Sequence, residues 1–235
     1  MLQPKIYPEL IGRALVLDAD PFVTMVEDDN PWVEGLFLTV SLGFLIGVAH
    51  WIGSLLLTAS LPPADAVLEA ILQGWQRFSQ NISRADSSTV EAGIRQTWTM
   101  VTAFSGYGGG WFRLFTIVAT PFSLLIQWLI AGLIIFAVGR ALGGRGTLNQ
   151  TMGATALMVA PHAFSLLTVI PFVSVSGLLL FVWALLINYR AAEVVHALPW
   201  QRAIWVALAP VAILLLLAFF VSFLIGSGLM IGGAA

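Results

Sequence analysis

Five apolar runs, separated by shorter polar segments, dominate the pattern of this sequence. Their apolar residues follow one another without the alternation typical of a half-buried strand, and charged residues hardly interrupt them. The runs extend over about Val33 to Ala59, Phe112 to Val138, Leu148 to Val169, Phe172 to Ile187 and Ile204 to Ile225. One helical crossing of a bilayer needs about 20 mainly apolar residues. The pattern therefore predicts an all-α, polytopic membrane protein with five transmembrane helices.

The two longest polar segments carry apolar residues at helical spacing. Residues 1–32 are rich in acidic side chains, yet their apolar residues predict one or two amphipathic helices along the membrane surface. Residues 60–110 predict two further amphipathic helices. Their apolar stripes are Val67, Ile71, Trp75 and Phe78 in the first, and Val90, Ile94, Trp98 and Val101 in the second.

Several helix boundaries can be read from local residue patterns. Ser88 with Glu91, and Thr147 with Gln150, have the spacing of a capping box, in which two side chains satisfy free amide groups at a helix start. The glycines within residues 106–110 predict a break after the second amphipathic helix. The organisation is then an N-terminal segment, 1–32, followed by a membrane domain, 33–235, that contains a helical insertion at 60–110.

Composition narrows the range of functions. Charged residues make up 9% of the chain and apolar residues 59%, whereas soluble domains carry roughly 25% charged residues. The net charge of −2 and the lack of any basic run argue against a nucleic-acid partner. No paired carboxylates, catalytic triad or metal-ligand spacing appears in the membrane segments. We therefore expect no enzymatic activity, and we assign no catalytic, cofactor or metal residues.

Orientation follows from the positive charges in short loops, which are retained on the cytoplasmic side. A cytoplasmic N-terminus places six of the positive side chains in the cytoplasm: Lys5, Arg13, Arg140, Arg145, Arg190 and Arg202. The turn at Pro171 and the C-terminal tail carry none and lie outside. This predicts a multi-pass protein of the cell (inner) membrane, with segment 1–32 in the cytoplasm and the insertion 60–110 outside.

Two passages resemble the Yip-one family of membrane proteins, named for binding Ypt and Rab GTPases. The first is the glycine-rich turn Ala141–Leu148 after a tryptophan-bearing span. The second comprises Pro161, Pro171 and the run Tyr189–His196. The resemblance implies a five-helix membrane domain with a cytoplasmic N-terminus. It also implies a place among the short, compact, prokaryotic-type members, whereas eukaryotic members are associated with vesicle traffic and GTPase partners.

Three residues define a candidate polar pocket. His50 in the first span and His162 in the third are ionisable groups inside the membrane, which are costly and therefore candidates for function. Pro161 has no amide N–H, so it predicts a kinked helix and a released carbonyl near His162. A neutral histidine that merely hydrogen-bonds within the bundle is the alternative interpretation, since no intramembrane carboxylate completes a proton relay.

Two further groups of residues are candidates for contacts with the surroundings. Arg140 and Arg145, beside the glycine-rich turn, are candidates for contact with anionic lipid headgroups. Gly43, Gly47 and Gly53 form a small face on the first span, typical of close helix packing either within the bundle or between chains. The acidic residues that precede the first span suit a helix N-terminus, whose dipole favours negative charge, without any bound cation.

These observations favour a membrane scaffold or interaction protein without catalytic activity. We expect its partners to be membrane lipids and either a protein or a larger membrane complex. Two alternatives remain open from the sequence. One is a small-molecule or ion transporter or channel with its path near Pro161 and His162, and the other is an accessory subunit of a larger complex.

Overall fold

The structure, a computed structural model, describes residues 4–80, 87–105 and 112–232. Within these ranges every regular element is helical, as the sequence predicted. The described ranges contain nine α-helices: α1 (Tyr7–Leu15), α2 (Asp20–Glu27), α3 (Pro31–Ser60), α4 (Ala64–Ser79), α5 (Ser87–Ser105), α6 (Phe112–Ala141), α7 (Leu148–Thr155), α8 (Gly177–His196) and α9 (Trp200–Gly232). Two 3-10 helices cover Pro4–Ile6 and Ala156–Val169. The predicted glycine break at 106–110 lies outside the described residues.

Five helical segments in the described ranges are long and apolar enough to cross a membrane, which confirms the predicted fold class. They are Pro31–Ser60, Leu114–Ala141, Leu148–Val169, Gly177–His196 and Trp200–Leu224. The capping box at Thr147 is present. The backbone N–H of Gln150 donates to Thr147 Oγ1, and the backbone N–H of Thr147 donates to Gln150 Oε1. The amphipathic helices at the N-terminus and after the first span are also present, as α1, α2, α4 and α5.

The third and fourth spans differ from the sequence prediction. Around Pro161 the third span is a 3-10 helix rather than a kinked α-helix, an unusually long stretch of a geometry that is often seen at hinges and strained sites. The fourth span begins later, at Gly177, because Ser176 caps it. It also continues to His196 through the predicted polar connection, since the Arg190–Glu193 ion pair supports the helix and Ala191 and Ala192 are buried.

The described chain forms two compact units. The first contains residues 1–42, 123–162 and 176–235. Its core is built around Ile135, Ala192, Leu198, Ala203 and Val206, all buried, with Val138, Leu142 and Tyr189 packed against them. A second group of contacts surrounds Trp128, which is fully buried and donates its indole N–H to the carbonyl oxygen of Met152 at 2.9 Å.

The N-terminal helices α1 and α2 belong to this first unit and pack on α7 and α8. Phe22 and Met25 of α2 are fully buried, and Trp183 of α8 donates its indole N–H to the carbonyl oxygen of Leu15 at 2.9 Å. The sequence suggested that the apolar stripe of these helices faces the membrane surface. The structure shows that much of the stripe is covered by protein instead.

The second unit contains residues 43–122 and 163–175. Helices α4 and α5 pack on each other, with Leu72 and Thr102 buried. Ile71 and Val101, which the sequence placed on the apolar stripes, remain exposed and line a cavity of about 540 Å³ between the two helices. The insertion is therefore a helical hairpin that keeps part of its apolar surface uncovered.

Candidate functional site

The glycine-rich turn between α6 and α7 is folded around His196, the last residue of α8. His196 is 1% exposed. A side-chain carbon added at Gly139 or Gly144 would lie 2.5 or 2.6 Å from the nearest atom of His196, and Gly143 has a positive φ of 92°. The amide of Arg145 also donates to the carbonyl oxygen of His196 at 3.2 Å. Gly139 and Gly144 are thus needed for close approach to the histidine, and Gly143 is needed for its positive φ.

Three arginines surround this turn and are exposed to the solvent or headgroup region. Arg140 donates to the carbonyl oxygen of Gly144 at 3.3 Å, and Arg202 donates to that of Leu142 at 3.0 Å. Arg145, in the turn itself, is exposed as well. The backbone contacts hold two of the guanidinium groups against the turn. The turn after α6 and the connection after α8 meet at one end of the first unit. This end therefore carries a basic face.

The start of α3 joins the same end of the first unit through polar contacts. The Trp32 amide donates to Asn149 Oδ1 at 2.9 Å, and Gly153 lies so close to Pro31 that an added side-chain carbon would come within 2.5 Å of the proline ring. We call this region the polar end: the start of α1, the end of α2, the start of α3, the α6–α7 turn, the start of α7 and the α8–α9 connection. Its parts are far apart in sequence, and their direct hydrogen bonds fix them together.

A buried tyrosine–carboxylate pair completes the polar end. The hydroxyl of Tyr7 in α1 donates to the carboxylate of Glu34, which is fully buried, and the Tyr7 ring packs on Phe37 with the ring centres 5.4 Å apart. Burial, and after it the Glu34 carboxylate, raise the pKa of Tyr7 above its ordinary value. Among the described residues, no three His, Asp or Glu side chains are grouped closely enough to hold a metal ion. The hydrogen bond between Tyr7 and Glu34 fastens α1 to the start of α3.

A cavity of about 570 Å³ lies between α6, the 3-10 helix, α8 and α9 of the first unit. His162 lines it, together with Gln127 of α6, Asn188 of α8 and Pro210 of α9. Its remaining walls are mainly apolar: Ile126, Ile130, Ala131, Met158, Gly177, Leu180, Phe181, Ala184, Leu185, Val211 and Leu214. Pro161, which precedes His162 in the chain, is buried. His50 belongs to the second unit, where its side chain is half-buried.

The small face of α3 is packed within the chain. An added side-chain carbon at Gly43 would lie 2.5 Å from Cα of Pro121, and one at Gly47 would lie 2.8 Å from Cα of Ile117. At Gly53 it would collide with the carbonyl oxygen of Thr168. All three neighbours belong to the second unit and include backbone atoms. The close contact is therefore between helices of one chain at each of the three glycines.

Comparison with known families agrees with this architecture. The model of the Yip1 domain matches residues 14–222, which is most of the chain. The chain belongs to the Yip1 domain family. No curated protein and no solved structure matches it. The match extends from the end of α1 into α9, and the helical hairpin α4–α5 lies between these limits.

The structure gives a physical reason for the two passages that carry the Yip1 resemblance. Gly144 and Gly146 of the first passage pack against Val195 and His196 of the second. The two passages are therefore in direct contact in the folded protein. His196 was not predicted as a site residue, because its partners lie about 50 positions away along the chain. Asn188 and the Tyr7–Glu34 pair were not predicted either, since their only signal was a polar residue in an apolar stretch.

Proposed function

We propose that this protein is a non-catalytic membrane scaffold or interaction protein, a short and compact Yip1 member that binds a protein partner or a larger membrane complex. The observation that carries this proposal is the polar end of the first unit. There, hydrogen bonds between residues distant in sequence hold α1, α3, α7 and α8 in one arrangement. A preformed surface of this kind favours binding, because little conformational freedom is lost when a partner docks.

Exposed charges of both signs give this surface its selectivity. Arg145 and Arg202 are exposed at the α6–α7 turn and the α8–α9 connection, and Glu27 and Asp29 are exposed just before α3. Charges around an interface steer partners and exclude those of the wrong sign. We propose that Arg140 and Arg145 also contact anionic lipid headgroups, which contribute about 1 kcal/mol per basic side chain near a charged membrane surface.

Charge reversal at the polar end tests the scaffold function. Arg145→Glu and Glu27→Lys each place the wrong charge on an exposed position, so we expect the captured partner to be reduced by tenfold or more, since like charges at an interface cost several kcal/mol and 1.4 kcal/mol is tenfold. The measurement is quantitative affinity capture from native membranes, followed by mass spectrometry.

The matched control is Arg95→Glu, which reverses an exposed charge on α5 in the second unit. It should leave the captured proteins unchanged. If all three variants capture the same proteins in the same amounts as the parent, the polar end is not the interaction surface. Thermal unfolding of each purified variant verifies that the fold is retained.

We propose that the polar end faces the cytoplasm. Arg140, Arg145 and Arg202 lie in its short connections, and positive charge in short loops is retained on the cytoplasmic side. Reporter fusions at residue 1 and residue 235 should therefore be found on opposite sides, with the N-terminal reporter in the cytoplasm. Two reporters on the same side would contradict a five-span topology.

The cavity beside His162 favours a second function, the transport of a small molecule or ion. On that hypothesis a water-accessible imidazole changes charge between about pH 5 and pH 8, and His162→Gln retains hydrogen bonding but removes the titration. We expect the variant to fold normally and to lose any pH dependence of uptake into reconstituted vesicles. Equal, pH-independent uptake by parent and variant would exclude a role of His162 titration, and the absence of uptake by either protein would leave the scaffold function as the better explanation.

A further inference from the structure

The cavity of the first unit contains a buried amide group whose oxygen has no partner. Asn188 of α8 lines the cavity and is only 3% exposed. Its Nδ2 makes a weak contact with the sulfur of Met158 at 3.8 Å, whereas its Oδ1 has no hydrogen-bond partner in the described part of the chain. A buried amide oxygen left in this state costs about 1–3 kcal/mol. This cost is removed when a bound molecule supplies the missing hydrogen bond.

A second polar side chain lines the same cavity. It is His162 of the 3-10 helix, whose buried Nδ1 has at most the backbone of Val159 as a hydrogen-bond partner among the described residues. The amide and the imidazole can each act as donor or acceptor, depending on the amide rotamer and the histidine tautomer. The two side chains therefore suit a neutral ligand group that both donates and accepts, such as a hydroxyl.

The part of the cavity wall that α8 contributes is long, with Asn188 at one end. This lining extends from Gly177 at the start of the helix to Asn188, which at 1.5 Å per residue is roughly 16 Å along the helix. Between these two residues the lining side chains of α8 are all apolar: Leu180, Phe181, Ala184 and Leu185. Asn188 is thus at one end of an apolar strip of α8, and the volume of about 570 Å³ is in the usual range of small-molecule sites.

The rim of the cavity indicates where a ligand enters. Ile126, Ile130, Phe181 and Leu214 line the cavity and are between 40% and 47% exposed. In a membrane protein such side chains face hydrocarbon rather than water. None of the lining residues is charged, and an unpaired charge in such a site would be strongly disfavoured. The ligand must therefore be neutral and must arrive from the bilayer.

We propose that this cavity binds one neutral, single-chain amphiphile of the membrane, with a hydroxyl group hydrogen-bonded to Asn188 and His162 and an alkyl chain along α8 towards Gly177. The site is separate from the polar end, and its occupation does not depend on the scaffold or transport function. It assigns Asn188 the role of recognising the polar group, and it assigns Ala184 a place in the wall that contacts the alkyl chain.

Photolabelling of the purified full chain in lipid nanodiscs tests this proposal. The probe is a monoacylglycerol with a diazirine in its alkyl chain, and the reference probe is a diazirine alkane of equal chain length without hydroxyl groups. We expect the monoacylglycerol to label peptides of α8, α9 and the 3-10 helix, and to be displaced by unlabelled monoacylglycerol. The alkane should give weaker labelling that is not displaced in this way.

Asn188→Leu removes the hydrogen bond while keeping a side chain of similar size. Apolar replacement of an unsatisfied polar group is close to neutral for stability, so the variant should fold. We expect it to bind the monoacylglycerol about fivefold to tenfold more weakly, the loss expected for about one hydrogen bond, with unchanged labelling by the alkane. Ala184→Phe fills part of the cavity and should abolish displaceable labelling. Leu215→Ala, at a lipid-facing position of α9, is the control and should behave as the parent.

Two results would overturn the proposal. If parent and Asn188→Leu bind the monoacylglycerol equally, Asn188 does not recognise the ligand. If monoacylglycerol and alkane label the parent equally and at the same peptides, the cavity only accommodates hydrocarbon chains of the surrounding lipid. Should Asn188→Leu unfold, His162→Phe replaces it as the polar-to-apolar variant, with the same expected loss.

Discussion

Replacing Gly47 by leucine is expected to lower the free energy of unfolding by about 2 kcal/mol, corresponding to roughly 4–8 °C in the unfolding temperature of a chain of this size. A side-chain carbon at this position would lie 2.8 Å from Cα of Ile117 and 2.9 Å from the carbonyl oxygen of Thr116. These are backbone atoms, so only a movement of α6 relative to α3 within the second unit can relieve the overlap. The gain in helix propensity on replacing glycine, at most about 1 kcal/mol, is too small to offset this cost.

Gly74→Leu is the matched control for this prediction. Gly74 lies on α4 of the same unit, and a side-chain carbon added there meets no atom within 4 Å. The control should be neutral or slightly stabilising in thermal unfolding measured in detergent. Equal unfolding temperatures for Gly47→Leu and Gly74→Leu would mean that α3 and α6 are not in contact at Gly47.

Tyr7→Phe should lower the stability at neutral pH by about 2 kcal/mol, the size expected for a hydrogen bond to a charged group. The hydroxyl of Tyr7 donates to the buried Glu34 carboxylate, and the phenylalanine retains the packing on Phe37. Thermal unfolding of the parent and the variant measures the difference. Tyr189→Phe removes a hydroxyl from another partly buried tyrosine and is the control.

The Tyr7–Glu34 pair also determines how stability should change at alkaline pH. The pKa of Tyr7 is raised in the folded protein, so the folded state keeps a proton that the unfolded state loses above its ordinary pKa of 10.0. This contribution to stability is fully present below pH 10 and declines as the pH rises above it. The stability difference between parent and Tyr7→Phe should therefore narrow above pH 10. A constant difference up to pH 11 would contradict the raised pKa.

The sequence was sufficient for the number and type of the spans, because lipid imposes a length and a composition on each of them. Local chemistry also located some boundaries, such as the capping box at Thr147 and the end of α3 at Ser60. The continuation of α8 to His196 was not predictable in this way. It depends on burial of Ala191 and Ala192 against residues elsewhere in the chain, and such contacts leave no periodic signal in a short polar stretch.

The candidate site was predicted only in part for a similar reason. His162 was identified because an ionisable residue in an apolar run is conspicuous, and the structure places it at a cavity. Asn188 also lines that cavity, but it follows the predicted end of the fourth span at Ile187 and precedes Tyr189 and Arg190, so the sequence pattern assigns it to a polar connection. Recognition of the Tyr7–Glu34 pair required the folded positions of two segments separated by 27 residues.

The hydrogen bond between Trp183 and Leu15 also constrains how the protein is made. Its two residues are 168 positions apart, and synthesis at about 5–20 residues per second separates their appearance by roughly 10 to 30 seconds. For most of that interval α2 has been produced but α7 has not, and α8 follows only at its end. Phe22 and Met25 must then be shielded by the membrane surface or by the insertion machinery, and the N-terminal helices complete their docking only after the fourth span has been inserted.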